Sequence, residues 1–200
     1  APAAIHSVDK LDAIATISTK IIVNADDPIT TSLDIKNKCI YYSLDKTRDE
    51  IVTYNANDFP VCPRCYEKVV YDYQHYRHIG KFHCPHCGFK SKKSDYIGKN
   101  INYDKMTFDV VKGKKKTKYN LISPSIFNVF NLLSVIALFT ELGMDDKTLN
   151  EHISNIKIPI SREDNVTCKD KEICLQIAKG QNVSATSTVF EYVSNMKENI

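Results

Sequence analysis

Residues 125–139 read SIFNVFNLLSVIALF. Within this stretch only Ser125, Asn128, Asn131 and Ser134 interrupt the apolar side chains, and there is no Gly or Pro. A run this long is a helix rather than a buried strand, which rarely exceeds about eight residues. Ser123 and Pro124 supply an N-cap and first-turn pair, and Gly143 follows Leu142 as a stop, so a helix over 124–142 is predicted. With so few polar positions the helix should be buried, and a buried amide must find hydrogen-bond partners. Asn128 and Asn131 stand at i and i+3, on one face near the helix start. Each amide offers a donor and an acceptor, which suits the edge of a nucleobase; the alternative is that both satisfy neighbouring backbone.

Working outward from this helix, short apolar strands alternate with helical spacings. KIIVNADDP (20–28) is a strand ending in polar residues and a Pro, KCIYYSL (38–44) is a second strand, and Leu11, Ile14 and Ile17 mark a helix over 9–17. The alternating segments of 99–122 read as a hairpin turning at Gly113. A second helix begins at Asp145 or Asp146, carries Leu149, Ile153 and Ile156 on one face, and stops before Pro159. A strand at 172–178 and a helix at 187–197 follow. The pattern is α/β. Asn24, Asp26 and Asp27 lie just past the carboxyl end of the first strand, where α/β sheets place ligand-binding residues; a simple turn before Pro28 accounts for them equally well.

Cys62, Cys65, Cys84 and Cys87 form C-x2-C-x18-C-x2-C, the spacing of two zinc knuckles folded as a ribbon. Four thiolates suit a closed tetrahedral Zn²⁺ site of structural type, and the ribbon is expected to behave as a self-contained insertion. Redox dithiols or disulfides are the alternatives. His75, His78, His83 and His86 read as surface or stacking residues, and Cys39, Cys168 and Cys174 have no partner pattern.

The chain has 200 residues, 42% hydrophobic and 26% charged, with a net charge of +3, enough for one domain and an appendage. The apolar run 132–139 is too short to span a bilayer and the first residues lack signal-peptide features, so a cytoplasmic location and no transmembrane segment are expected. Residues 88–118 hold ten lysines against Asp95, Asp104 and Asp109. The cluster KGKKKTK (112–118) reads as a solvated turn. A zinc-ribbon module binding nucleic acid or a protein partner is the rival function, since Tyr71, Tyr73 and Tyr76 with nearby lysines could stack and neutralise a strand.

The blocks IIVNADDP (21–28), CPRC…HCPHCGF, FNVFNLLSVIALFTELG (127–143) and SRED (161–164) occur in the order found in the Mur-ligase-like subunit of lipid II isoglutaminyl synthase, the MurT family. The chain resembles that family over nearly its whole length. The resemblance implies a Mur-ligase middle-domain-like sheet flanked by helices over 1–59 and 91–165. It places an inserted four-cysteine zinc ribbon at 60–90 and the start of a C-terminal domain at 166–200. It further implies ATP and Mg²⁺, with adenine at Asn128 and Asn131 and nucleotide contact at Arg162. The implied reaction activates the D-glutamate α-carboxylate of lipid II as an acyl phosphate. Ammonia from a glutamine amidotransferase subunit (GatD-like) then attacks at the inner face of the membrane. Two departures stand out. No G-x-x-x-x-G-K-[ST] occurs, since the Gly-Lys pairs at 80, 98 and 113 lack its other elements, and KGQN (179–182) keeps only Lys179 of the family's Lys-Asn-Pro. The expectation is therefore an internal piece, inactive alone, whose catalytic aspartate lies elsewhere.

Overall fold

A computed structural model describes residues 19–47, 59–76, 78–156, 163–169 and 171–176, together with Phe190. The chain divides into two compact units, Ala1–Asn155 and Ile156–Ile200. In the first, the strands are β1 (Ile21–Asn24), β2 (Cys39–Leu44), β3 (Val70–His75), β4 (Ile79–His83), β5 (Tyr96–Asn102), β6 (Thr107–Lys112) and β7 (Lys115–Asn120). Among the described residues three helices accompany them: α1 (Pro28–Ser32), α2 (Ile126–Glu141) and α3 (Asp146–Ser154).

The central sheet has the order β1-β2-β5-β6-β7, while β3 and β4 form a separate hairpin. β1, β2 and β5 run parallel, and β6 pairs antiparallel with both β5 and β7. This is a mixed α/β architecture. The turn expected at Gly113 is present: Lys112 faces Lys115, and Gly113 takes φ 58° at the first central position, which a type II′ turn reserves for glycine. The hairpin expected over 99–122 is, however, only part of the element, because Tyr96–Asn102 is a third parallel strand. Gly98 hid it, since a glycine weakens a strand pattern. Its reason is packing: a Cβ there would lie 2.7 Å from Leu44 Cδ1 and 3.3 Å from Leu133 Cδ2. The bare backbone lets α2 sit close on the sheet.

Helix α2 buries Val129, Phe130, Leu132, Leu133, Ile136 and Ala137 against Ile40, Leu44, Phe108, Val110 and Tyr119. Its other side faces outward, with Phe127, Asn131, Leu138, Phe139 and Leu142 exposed, so the helix is one-sided rather than buried all round. It starts two residues later than the Ser-Pro pair suggests. Ser125 is the N-cap, its carbonyl accepting from the Asn128 and Val129 N–H groups, while the Ser123 Oγ is engaged by Asn128. The far end stops as expected: Gly143 takes φ 93°, and the Met144 and Gly143 N–H groups return to the Phe139 and Thr140 carbonyls. Helix α3 is capped by the Asp145 carboxylate on the Thr148 N–H and buries Leu149 and Ile153. Ile156, expected on that face, lies beyond the helix and is 47% exposed.

In the second unit, β8 (Glu163–Cys168) and β9 (Lys171–Gln176) pair as an antiparallel hairpin. β9 corresponds to the strand expected at 172–178, and β8 is an addition. Arg162, Lys179 and the expected helices at 9–17 and 187–197, Phe190 excepted, lie outside the described residues. Among the described residues no helix is long and apolar enough to cross a membrane.

Candidate functional site

The two CxxC segments fold alike. Tyr66 N–H donates to the Cys62 carbonyl at 2.9 Å and Cys62 N–H to the Glu67 carbonyl at 2.7 Å. In the second segment Gly88 N–H donates to Cys84 at 3.0 Å and Cys84 N–H to Phe89 at 2.7 Å. Both turns take a left-handed residue directly after the second cysteine, Tyr66 at φ 64° and Gly88 at φ 72°. The turns bring four free thiols together, all sulfurs within 4.8 Å of one another. Cys65–Cys84 and Cys62–Cys87 are 3.5 and 3.7 Å apart. Tetrahedral Zn–S bonds of about 2.3 Å place sulfurs about 3.8 Å apart, so the quartet fits such an ion.

The electrostatics agree. The Cys87 N–H foremost, against burial and with Cys65 and the His86 N–H helping, draws Cys84 down to about 6. Cys65 is lowered by the Glu67 N–H, but burial and the sulfurs of Cys84, Cys87 and Cys62 outweigh it and push the thiol up to about 12. Neighbouring sulfurs oppose each other's ionisation, and a divalent cation removes that conflict.

The cysteine-bearing hairpin is not self-contained. Val69, Tyr71, Phe82 and Phe89 form a small core around the thiols, reinforced by Arg64 over the Phe89 ring at 4.6 Å. At the other end the hairpin enters the main core. Ile79 belongs to it, and His75 is 1% exposed, edge-on to Tyr73 and Phe130. Tyr73 Oη donates to the Leu44 carbonyl at 3.1 Å, His75 Nε2 lies 3.2 Å from the same oxygen, and Gly80 N–H donates to the Asp26 carbonyl at 2.9 Å. Gly80 is obligatory, because a Cβ would meet the Tyr73 carbonyl oxygen. His75 and His78 are thus stacking residues, as expected, but His75 is far from the surface. Spacing marks ligands, and it carries no sign of where a hairpin tip docks.

These contacts line the carboxyl ends of β1 and β2, where the sequence places Asn24 and Asp26. Asn24 Oδ1 accepts from the Asp26 N–H at 3.0 Å. Asp26 is 1% exposed and its Oδ2 accepts from the Leu44 N–H at 2.8 Å, tying the β1 loop to β2. Asp27 caps α1 through the Ile29 N–H at 2.8 Å. Asn128 is half-buried and donates to Ser123 Oγ at 2.6 Å, whereas Asn131 is exposed and its side chain faces out of the core. Burial above all raises the phenols of Tyr42 and Tyr76; Ser134 opposes it at Tyr42, Tyr42 adds to it at Tyr76, and the charges of Asp27 and Asp26 add to both.

The lysines of 112–118 flank a different face. Lys112 pairs with Glu141 at 3.0 Å, Lys115 with Asp146, and Lys116 with Asp109 at 2.8 Å. The turn is not simply solvated, since three of its lysines meet carboxylates from across the fold.

No family model matches the chain. It is 29% identical over 181 residues to the MurT subunit of the glutamine-hydrolysing lipid II isoglutaminyl synthase of Staphylococcus aureus strain COL, covering 86% of this chain and 40% of that protein. The MurT subunit from Streptococcus pneumoniae strain R6 is 26% identical over 185 residues, covering 90% of this chain and 40% of its own length. Its curated homologues are MurT subunits. The chain spans 40% of the length of these MurT relatives. Among solved structures, a pseudomurein peptide ligase type C from Methanothermus fervidus superposes with TM-score 0.70 at 24% identity, over 92% of this chain and 36% of that one. That likeness establishes the fold, a mixed sheet with packed helices shared with that peptide ligase.

Proposed function

We propose that these residues are part of a MurT-type subunit of an ATP-dependent amidoligase that converts the D-glutamate α-carboxylate of lipid II to the amide. The observation carrying this reading is the 29% identity to a lipid II isoglutaminyl synthase MurT subunit along 86% of the chain. The chemistry is transfer of the γ-phosphoryl group of Mg-ATP to the carboxylate, releasing ADP and giving an acyl phosphate, whose acyl carbon is attacked by ammonia from a GatD-like, glutamine-hydrolysing partner with inorganic phosphate leaving. The reaction would take place in the cytoplasm at the inner membrane face, where the lipid II headgroup is presented.

In this reading Asn128 and Asn131 contact adenine, and Arg162 contacts the nucleotide. Asn24 and Asp26, at the carboxyl end of β1, are the further nucleotide-binding candidates. Asn131, exposed beyond the first turn of α2, is the amide free of the core and suited to the base edge. Cys62, Cys65, Cys84 and Cys87 would hold one structural Zn²⁺, which stabilises the fold of the 60–90 insertion and does no chemistry. Residues 166–200 begin the C-terminal domain.

The test combines a polypeptide joining these residues to a P-loop with the glutaminase partner, lipid II, Mg-ATP and amide-¹⁵N glutamine. Mass spectrometry should find ¹⁵N in the lipid II stem peptide only when ATP is present. Active glutamine hydrolysis without any labelled lipid II would sink the proposal. The 200-residue chain, which has no P-loop motif, should turn nothing over by itself.

A further inference from the structure

The first turn of α2 carries Asn128, yet its N-cap Ser125 makes no side-chain hydrogen bond to the helix N–H groups. A helix start without a side-chain cap depends on tertiary contacts for its position. Those contacts come from the tip of the cysteine hairpin. Tyr76, at φ 41° in the turn closed by His78 N–H on the His75 carbonyl at 3.0 Å, puts its ring 4.3 Å from Phe127 and 5.9 Å from Phe130. These two phenylalanines bracket Asn128 in the chain. Behind Tyr76, His78 stacks at 5.7 Å and 18°, and Phe59 packs on His78 at 4.8 Å. The same hairpin holds the β1 loop through Gly80 and the end of β2 through Tyr73 and His75. One element therefore touches all three pieces that border the candidate nucleotide edge.

The other end of this element is the thiol quartet. β4 runs from Ile79 at the tip directly into His83 and Cys84. A two-stranded hairpin is marginal alone in water. Its own core is only Val69, Tyr71, Phe82 and Phe89 with the cysteines, so what fixes the sulfurs also fixes the strands.

We propose that Tyr76 is a positioning residue for adenine recognition, and that metal loading at Cys62, Cys65, Cys84 and Cys87 is linked through the β3–β4 hairpin to nucleotide binding on α2. This rests on the reading of Asn128 and Asn131 as adenine contacts. Linkage is reciprocal: if bound metal tightens the nucleotide site, bound nucleotide must tighten metal binding by the same factor.

The experiment uses the zinc-loaded polypeptide that joins these residues to a P-loop, as wild type, Tyr76→Ala and Tyr76→Phe. ATP and GTP are titrated against the side-chain amide NMR signals of Asn128 and Asn131, and zinc affinity is measured by equilibrium competition with a colorimetric chelator, with and without ATP. Wild type is expected to prefer ATP to GTP and to hold zinc several-fold more tightly when ATP is bound. Tyr76→Ala, at full zinc content, should bind ATP about tenfold more weakly and lose both the base preference and the ATP effect on zinc affinity. Tyr76→Phe should retain them, because the ring contacts do not use the hydroxyl. Unchanged ATP affinity in zinc-loaded Tyr76→Ala, or zinc affinity in wild type indifferent to bound ATP, overturns the linkage alone. The zinc-affinity measurement needs no variant, so a poorly folded Tyr76→Ala leaves it decisive. A wild type whose two amides do not respond to ATP overturns the nucleotide reading and this inference with it.

Discussion

Asn131 and Asn128 look equivalent in the sequence and are not equivalent in the fold. Asn131 is exposed, so Asn131→Ala should leave the melting temperature nearly unchanged while weakening ATP binding by roughly 1–3 kcal/mol, the value of one or two hydrogen bonds. Asn128 donates to Ser123 at the foot of the helix, so Asn128→Ala should also cost stability, about 1 kcal/mol. Calorimetry and nucleotide titration on both variants separate the roles. A destabilised Asn131→Ala with unchanged ATP affinity would return that amide to a structural part. Tyr66 is a second informative residue. It occupies the left-handed position that Gly88 fills in the matching knuckle, and it is 81% exposed. A non-glycine residue there is strained by about 1–2 kcal/mol, so Tyr66→Gly should slow zinc loss to a chelator. Faster loss would show that the Tyr66 ring contributes more than its backbone strain takes away.

At the scale of elements, the sheet and α2 are joined at their ends by Glu141. Its carboxylate accepts from Lys112, Tyr96 and Lys20, each at 3.0 Å. Lys112 above all, with Lys20 and Tyr96 and against burial, lowers Glu141 from the usual 4.5 to about 2. A carboxylate whose pKa is lower folded than unfolded adds stability above its unfolded pKa, and that contribution fades as pH falls from about 4.5 to about 2. Urea unfolding of wild type should therefore weaken steeply across that window. Glu141→Gln should be less stable at neutral pH, by up to about 3 kcal/mol, with a flatter acid limb. Parallel pH profiles would refute the assignment. The hairpin makes a second prediction at this scale. Since Ile79 and His75 are buried in the main core, zinc removal should expose amides of β1, β2 and α2 to hydrogen exchange as well as those of 60–90. Exchange confined to the insertion would mean that the hairpin is as independent as its sequence suggests.

For the whole molecule, the basic window 88–118 decides between the enzyme reading and a nucleic-acid module. Lys112, Lys115 and Lys116 are paired with Glu141, Asp146 and Asp109, so their charge is largely balanced where it stands. Binding to single-stranded DNA should be weak and non-specific. Neutralising Lys114, Lys115 and Lys116 should flatten its salt dependence by only a small amount, as few counterions are released. Fluorescence anisotropy across a salt series measures this, and tight sequence-preferring binding would favour the ribbon as a nucleic-acid module.

The features legible in the sequence alone are those set by neighbours in the chain. The C-x2-C pairs, the glycine turn at 113, the helix stop at 143 and the Asp145 cap follow from local backbone geometry and short-range hydrogen bonds. The alternation of the first strands with α2 and α3, and hence the mixed α/β class, was legible for the same reason, while β5 and β8 were not. Contacts between distant segments were decided by the tertiary structure. Gly98 reads as a weak point in a strand until Leu44 and Leu133 are seen to close over it. Asp26 reads only as a residue at a strand end until the fold ties its carboxylate to the Leu44 N–H, 18 residues on. The outward face of α2 was hidden because Phe127, Leu138 and Phe139 are apolar and still exposed, so hydrophobicity alone could not locate the core side. The meeting of Tyr76 with Phe127 joins residues 51 apart in the chain, and a pattern of local periods carries no trace of a contact that only the packed fold creates.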